Sequence, residues 1–424
     1  MGYIIPVLRK RFTESKILVL HIENFKEEPL QNVYALTSLE PEEIYKFLEI
    51  NIQKINAEHI KIIEWRPSIN YFKDAYVKIL SAVTAFLKRT DAEKRTTAVF
   101  GKRWIKNFFK NIGNINHTLL YRQMKNPVII TGSGPSLEQA LPVIQKAQDN
   151  CLIIAASSSV LALSSAGITA DIVIAADGGS WALKHIYPFY RSKNESALAV
   201  NLCAALPSQC ANTAQLILND GSFWQNVVLH ELALPSVIIP QRGTVTATAV
   251  ELAFALSSGN IYLAGLDFSV NDIRTHARPY AFDNLFYGKA SRFVPFYSES
   301  YSRSRLMHGG GSMDIYASWF KEQLSKWPKR IFAIGGNKIF EHGEPSTHGG
   351  LKKTDEFFKA SKVENSNNFC KKGIQALLDA LKNPEYSQNI KRELNSLLFS
   401  GENEVTEREL ETVLKETCIK ALHE

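Results

Sequence analysis

Val128-Ile129-Ile130-Thr131-Gly132-Ser133-Gly134-Pro135-Ser136 is the stretch that decides the fold. Its first four residues are β-branched, the composition of a short buried strand. Gly132 and Gly134 let the backbone turn sharply and approach a ligand closely. Pro135 suits the first turn of a helix, which Leu137-Glu138-Gln139-Ala140-Leu141 continues, and Ser133 or Ser136 can cap its exposed N–H groups. Such a helix start, with free N–H groups and a favourable dipole, offers an anion site. The stretch is neither a Walker loop nor a full G-x-G-x-x-G, because no Gly-Lys-Ser/Thr follows and Leu137 holds the third glycine's place. Taken alone, a tight β–α turn with no ligand explains it equally well.

Further apolar runs follow at Leu152–Ala155, Ile172–Ala175, Leu198–Asn201, Val227–Leu229, Val237–Ile239, Ile261–Leu263 and Ile331–Ile334, with helical stretches between them. Near-continuous apolar strands alternating with helices predict a parallel sheet buried on both faces, a doubly wound, Rossmann-like α/β domain over 115–345. Ligands of such sheets bind where strand C-ends meet helix N-ends. Chemistry-bearing residues sit at those places. Ser157, Ser158 and Ser159 end the second run, where they suit a ribose or phosphate as well as a helix cap. Asp177 ends an apolar strand, a costly place for a carboxylate unless it holds a ligand, a metal or a cap. Thr244 and Thr246, after Arg242-Gly243, open a helix and provide a second phosphate-holding start.

After Gly265-Leu266-Asp267 comes a stretch of some forty residues rich in aromatic and basic groups, among them His276, Tyr280, Arg303 and His308. Beside a ligand edge, this predicts a lid, and either histidine has the untuned pKa of a general base.

The flanks differ. Residues 1–114 predict a mixed α/β region with a strand at Ile17–Ile22, helices at Pro41–Asn51 and Tyr71–Lys88, and basic residues from Lys88 to Lys110 that suit a solvated helix face or a surface that meets a partner protein or an anionic substrate. Residues 346–424 predict polar helices (Thr354–Ser361, Lys371–Lys382, Ser387–Leu398 and Thr406–Leu422), a tail for packing or assembly that leaves room for a homo-oligomer.

Composition narrows the class. The chain has 424 residues and a net charge of +7, which permits anionic ligands without arguing for nucleic acid. Five scattered cysteines form no C-x-x-C pair and read as buried free thiols of a reducing compartment. The basic residues Arg9, Lys10 and Arg11 follow the first apolar piece instead of preceding it, so no signal peptide is expected; nor is a membrane span, and the expected location is the cytoplasm.

Together these stretches resemble two related enzyme groups. Gly132-Ser133-Gly134-Pro135-Ser136-Leu137 is similar to the Gly-Asn-Gly-Pro-Ser-Leu loop of bacterial sialyltransferases that use CMP-activated sialic acid, with Ser133 in the asparagine's place. Ile261 to Phe268 resembles their fourth strand, and Tyr280-Ala281-Phe282-Asp283 resembles a lid segment whose tyrosine contacts the donor. His308, just before Met313-Asp314-Ile315, falls where that group keeps its catalytic base. Over a greater length, residues 115–345 resemble the motility-associated factor family of flagellin glycosyltransferases. That likeness rests on the same Gly-Pro-Ser-Leu loop, Asp177 at a strand end, Gly265-x-Asp267, Thr275-His276-Ala277, and Tyr316 to Phe320 before a strand and a Gly-Asn turn.

The resemblance implies a sialyltransferase-like fold and transfer of a nonulosonic acid, of pseudaminic- or legionaminic-acid type, from a CMP-activated donor to Ser/Thr of flagellin. It places the nucleotide on Gly132–Ser136, Ser157, Ser158, Asp177, Thr244, Thr246 and Asp267, the base at His308 or His276, and Tyr280 at the leaving phosphate. A one-phosphate leaving group does not require a metal, although Mg²⁺ is compatible. The same central region also resembles archaeal 6-hydroxymethylpterin pyrophosphokinases, which implies ATP and Mg²⁺ on Asp177 and Asp267. A flagellin-binding factor without catalysis is the third alternative.

Overall fold

The computed structural model describes the chain except residues 1–3, 24–29, 53–59, 192–195, 241–242, 271–272, 307–311, 325, 336, 338, 347–356, 365, 400–404 and 424. The chain divides into two compact units, Met1–Gly101 with Leu394–Thr406, and Lys102–Glu393 with Glu407–Glu424. The sequence alone draws its boundaries at 114/115 and 345/346.

In the first unit, β1 (Ile17–His21) pairs in parallel with β2 (Val33–Thr37). Leu18, Leu20 and Leu36 pack with Ile44, Leu48, Ile79 and Phe86 of neighbouring helices. Pro41 opens the helix Pro41–Asn51, as the sequence predicts. The helix expected over Tyr71–Lys88 is far longer, Lys73–Ile112. Arg89–Glu93 and Arg95–Asp91 ion pairs, each one turn apart, carry it through the basic stretch on an exposed face.

The second unit is built on a sheet of ten strands among the described residues. They are β3 (His117–Tyr121), β4 (Val128–Thr131), β5 (Leu152–Ala156), β6 (Ile172–Ala175), β7 (Ala197–Asn201), β8 (Gln215–Asn219), β9 (Ser236–Ile238), β10 (Ile261–Ala264), β11 (Ile331–Ala333) and β12 (Phe358–Lys362). The order is β11-β10-β4-β5-β6-β7-β8-β3-β12, with β9 also on β8. All pairings are parallel except β12 with β3. The chain leaves β4 in one direction through β5 to β8 and later returns on its other side as β10 and β11, so the order reverses between β4 and β10.

Burial explains the apolar runs. Val128, Ile130, Leu152, Ile154, Ile172 and Ile174 face one core cluster, completed by Ala247, Val250 and Leu256 of the helix Val245–Leu256. Their neighbours Ile129 and Ile153 are equally buried on the opposite face. Each such side chain contributes about 1.5–3 kcal/mol by leaving water. All five cysteines are free and buried, and burial raises the thiol pKa of Cys203, Cys370 and Cys418. Among the described residues no helix is long and apolar enough to cross a membrane.

Two expected elements differ. Val227–Leu229 is not a strand but part of the helix Phe223–Glu231, whose Trp224 and Val228 are buried one turn apart. Its first N–H groups, those of Phe223 and Trp224, donate to the Glu393 carboxylate at 3.1 and 3.0 Å. The helix expected over Thr354–Ser361 ends, within the described residues, as edge strand β12.

Candidate functional site at the strand crossing

Gly132 donates its N–H to the Ala264 carbonyl, and Gly134 donates to the Gly265 carbonyl, both at 2.8 Å. The turn after β4 is thus zipped to the turn after β10, at the place where strand order reverses. The approach is closer than a side chain permits: a Cβ at Gly132 would lie 2.5 Å from the Gly265 carbonyl oxygen. Gly265 itself has a φ of +69°, which favours glycine.

The Asp267 carboxylate accepts the Ser136 N–H at 3.0 Å and thereby caps the helix Leu137–Ala147. This acceptor was not foreseen: the helix start read as an open anion site already holds a carboxylate. Leu137 and Glu138 donate to the Gly134 and Pro135 carbonyls. Beside the loop, Ser158 Oγ donates to Ser133 Oγ at 3.0 Å, while half-buried Ser157 precedes it. Ser159 is buried and bonds to Thr131 at 2.8 Å, a structural role. Thr244 caps the helix Val245–Leu256 by accepting the Ala247 N–H at 3.0 Å; Thr246 is half-buried one residue into it. Asp177, two residues past β6 and exposed, accepts the Gly179 N–H at 2.8 Å. Arg242 and His308 lie outside the described residues.

The stretch after Asp267 is not all loop; it contains the helices Asp283–Lys289 and Phe296–Leu306. Its first part runs across the carboxyl ends of β4, β5 and β6. Ala277 donates its N–H to the Ser133 carbonyl at 2.8 Å, and Glu138 takes both the Arg278 N–H and the Arg274 guanidinium at 2.9 Å. At the far end, Phe282 leans on Trp181, and Tyr280 Oη lies 3.0 Å from His185 Nε2. His276 stacks on Tyr280 with ring centroids 4.1 Å apart and planes 10° from parallel, and its Nδ1 meets Thr275 Oγ1 at 2.9 Å. A small cavity beside this stack is lined by Arg274, His276, Tyr280, Asp283, Phe286 and Arg303.

The structure therefore gathers Gly132 to Ser136, Ser158, Asp267, His276 and Tyr280, and links Tyr280 to the β6 side, where Asp177 lies. Sequence reasoning missed His185. Its signal was a position in the first turn of the helix Leu183–Arg191, which follows a strand end facing the ligand edge.

Burial, with the His185 and Arg303 charges adding to it, lowers the His276 pKa from 6.5 to about 4. Burial likewise lowers His185, with Asp177 opposing, and raises Tyr280, which keeps its proton at neutral pH. The folded pKa of His276 lies below the unfolded value, so between pH 6.5 and about 4 the unfolded chain takes up a proton that the folded one refuses. Its contribution to stability is therefore flat above that window and falls as pH drops through it. An imidazole NMR titration should give a His276 midpoint near 4; a midpoint near 6.5 would contradict the burial argument.

The Glu138 clasp yields another expectation. Both members of its ion pair are partly exposed, so the pair is weak, and losing it with the Arg278 N–H bond costs about 1–2 kcal/mol locally. Glu138→Ala should speed tryptic cleavage after Arg274 several-fold with the global unfolding temperature nearly unchanged. Equal cleavage rates would show that the clasp does not hold the segment.

A doubly wound sheet with two glycine turns crossing at its switch point, spanned by a histidine- and tyrosine-bearing segment, has the frame in which open α/β sheets bind their ligands. Comparison with known proteins narrows the likeness. Residues 102–272 match the model of the family described as 6-hydroxymethylpterin diphosphokinase MptE-like. An uncharacterized protein of Treponema pallidum (strain Nichols) is 27% identical over 305 residues, 72% of this chain and 65% of that protein. The solved MAf glycosyltransferase from Magnetospirillum magneticum AMB-1 is similar at a TM-score of 0.51 and 13% identity, over 92% of this chain and 65% of that one. The chain thus spans about 65% of the length of each of these two relatives. Of the likenesses read from the sequence, that to the motility-associated factor family is met by the fold of a MAf glycosyltransferase, and that to the pterin pyrophosphokinases by the MptE-like match over 102–272.

Proposed function

We propose that the chain is a glycosyltransferase that moves a nonulosonic acid from a CMP-activated donor to serine or threonine hydroxyls of flagellin, in support of flagellar assembly. The observation that carries this reading is the Ala277–Ser133 bond of 2.8 Å, which fastens the histidine- and tyrosine-bearing segment onto the glycine loop. A nucleotide beneath that segment meets the Ser133 and Ser158 hydroxyls. Because the Asp267 carboxylate caps the helix start, that place suits ribose hydroxyls better than a phosphate. The phosphate falls to the Thr244–Thr246 helix start and to Tyr280, with Arg274, Arg278 and Arg303 supplying positive charge nearby.

His276 Nδ1 lies 2.9 Å from Thr275 Oγ1, and in the tautomer whose Nδ1–H donates to that hydroxyl, Nε2 carries the lone pair of a general base. It takes the acceptor's hydroxyl proton as the new C–O bond forms, and the bond to the phosphate breaks with its electron pair leaving on CMP. His308 is the rival base. The similar solved structure is a MAf glycosyltransferase, which supports a glycosyl-transfer role, and the protein acceptor and CMP donor come from the sequence resemblance.

The MptE-like match favours a second reading, an ATP- and Mg²⁺-dependent pyrophosphokinase. Its expected metal ligands, Asp177 and Asp267, belong to the ends of β6 and β10, three strand spacings or roughly 14 Å apart. That strand separation does not favour one Mg²⁺, with bonds of about 2.1 Å, held by both. Calorimetric titration with CMP and with ATP, each with and without Mg²⁺, separates the readings. Metal-independent CMP binding is expected; Mg²⁺-dependent ATP binding without CMP binding would sink the glycosyltransferase.

A further inference from the structure

His185 is not used by the chemistry above, yet it is the side chain that meets the Tyr280 hydroxyl, at 3.0 Å from its Nε2. Its ring is fixed by Phe282, edge-on at 5.0 Å, and Phe282 in turn packs on Tyr280 and Trp181. The titratable and charged groups around it are Asp177, Tyr280 and His276, with Arg303 and Asp283 acting on Tyr280 next to it.

A phenol has one proton to give and lone pairs to accept with. If Tyr280 gave its proton to His185, it would present only lone pairs to the space beneath the segment, and an anionic oxygen there would be repelled. If His185 donates instead, the tyrosine oxygen is held and its O–H is free to turn toward that anion. Burial keeps the His185 ring neutral, with Asp177 opposing, and the neutral ring makes this donation with its one proton on Nε2.

We infer that His185 is a positioning residue whose Nε2–H holds the Tyr280 oxygen, so that the tyrosine hydroxyl donates to an anionic oxygen of the departing nucleotide. This rests on the nucleotide-sugar reading above. It predicts that His185 and Tyr280 act as one unit.

The test is a double-mutant cycle on CMP-sugar turnover by the full chain, joined to the ¹³Cζ resonance of Tyr280. His185→Ala should lower kcat about tenfold, the worth of one ordinary hydrogen bond, with KM little changed. Tyr280→Phe should lower it at least as far, and the double variant no further than Tyr280→Phe alone. His185→Gln, whose amide N–H can still reach the oxygen, should keep most of kcat. The Tyr280 resonance should move in His185→Ala and stay close to wild type in His185→Gln. Additive losses, or a resonance unmoved by His185→Ala, would overturn the inference with glycosyl transfer intact. A wild-type chain that turns over no CMP-sugar would instead overturn the parent reading, and with it the nucleotide as the hydroxyl's target.

Discussion

Gly134→Ala should open the strand crossing and abolish tight nucleotide binding. The added Cβ would fall inside contact distance of the Asp267 carboxylate and 2.8 Å from the Gly265 carbonyl oxygen. Neither neighbour can withdraw freely: Asp267 is bonded to Ser136, and Gly265 accepts the Gly134 N–H itself. Overpacking of this kind costs about 1–3 kcal/mol, and loss of the carboxylate cap adds roughly 1 more. Because the same displacement moves Ser133, and with it the contacts to Ser158 and Ala277, CMP affinity should fall at least about tenfold, which is 1.4 kcal/mol. Thermal unfolding and calorimetry check both halves. Gln139→Ala, exposed on the same helix, is the control expected to change neither. An unchanged unfolding temperature with unchanged CMP affinity would mean that the crossing is neither tight nor part of the site.

His276→Ala should lower transfer about 10²–10⁴-fold, the usual worth of a positioned general base. The imidazole is neutral throughout the physiological range because burial holds its pKa near 4, so it is ready to accept a proton. A bound anionic nucleotide would raise that value and strengthen the base where it is needed. In cells, flagellin from the His276→Ala strain should lack the sugar's added mass, while the variant chain accumulates and unfolds as wild type does. If His276→Ala and His308→Ala both leave the flagellin mass unchanged from wild type, neither histidine is the base. If only His308→Ala removes the sugar mass, His308 is the base, and His276 is a packing residue for the tyrosine.

How much of this was legible depends on where each residue's partner lies. Val128–Thr131 ends where the sequence predicts because its four β-branched residues are bounded by Gly132 and buried from end to end. Thr244 was legible as a helix start because its partner is local, the Ala247 N–H three residues on. Val227–Leu229 misled because its β-branched pair mimics a strand. The cap that makes it helical is Glu393, some 170 residues away, which no local window contains. Edge strand β12 misled in the other direction: Phe358-Lys359-Ala360-Ser361-Lys362 is mostly exposed and carries no apolar pattern, and only its pairing with β3 makes it a strand. In the site, the glycine motif and Gly265-Leu266-Asp267 were each visible, but their union was not. That the Asp267 carboxylate occupies the helix start follows from the crossing of β4 and β10, which sequence spacing does not encode. His185 was overlooked because a lone histidine in a helix reads as structural until Tyr280 arrives from 95 residues away.

In the proposed function a CMP-linked donor lies beneath the Thr275–Phe282 segment, at the crossing of the two glycine turns. A crystal structure of the chain with CMP tests it most directly. Ribose density is expected against Ser133, Ser158 and Asp267, with the phosphate within hydrogen-bond reach of Tyr280 Oη and the Thr244–Thr246 helix start. CMP bound elsewhere, or crystals that take up ATP with Mg²⁺ at this crossing and refuse CMP, would contradict it.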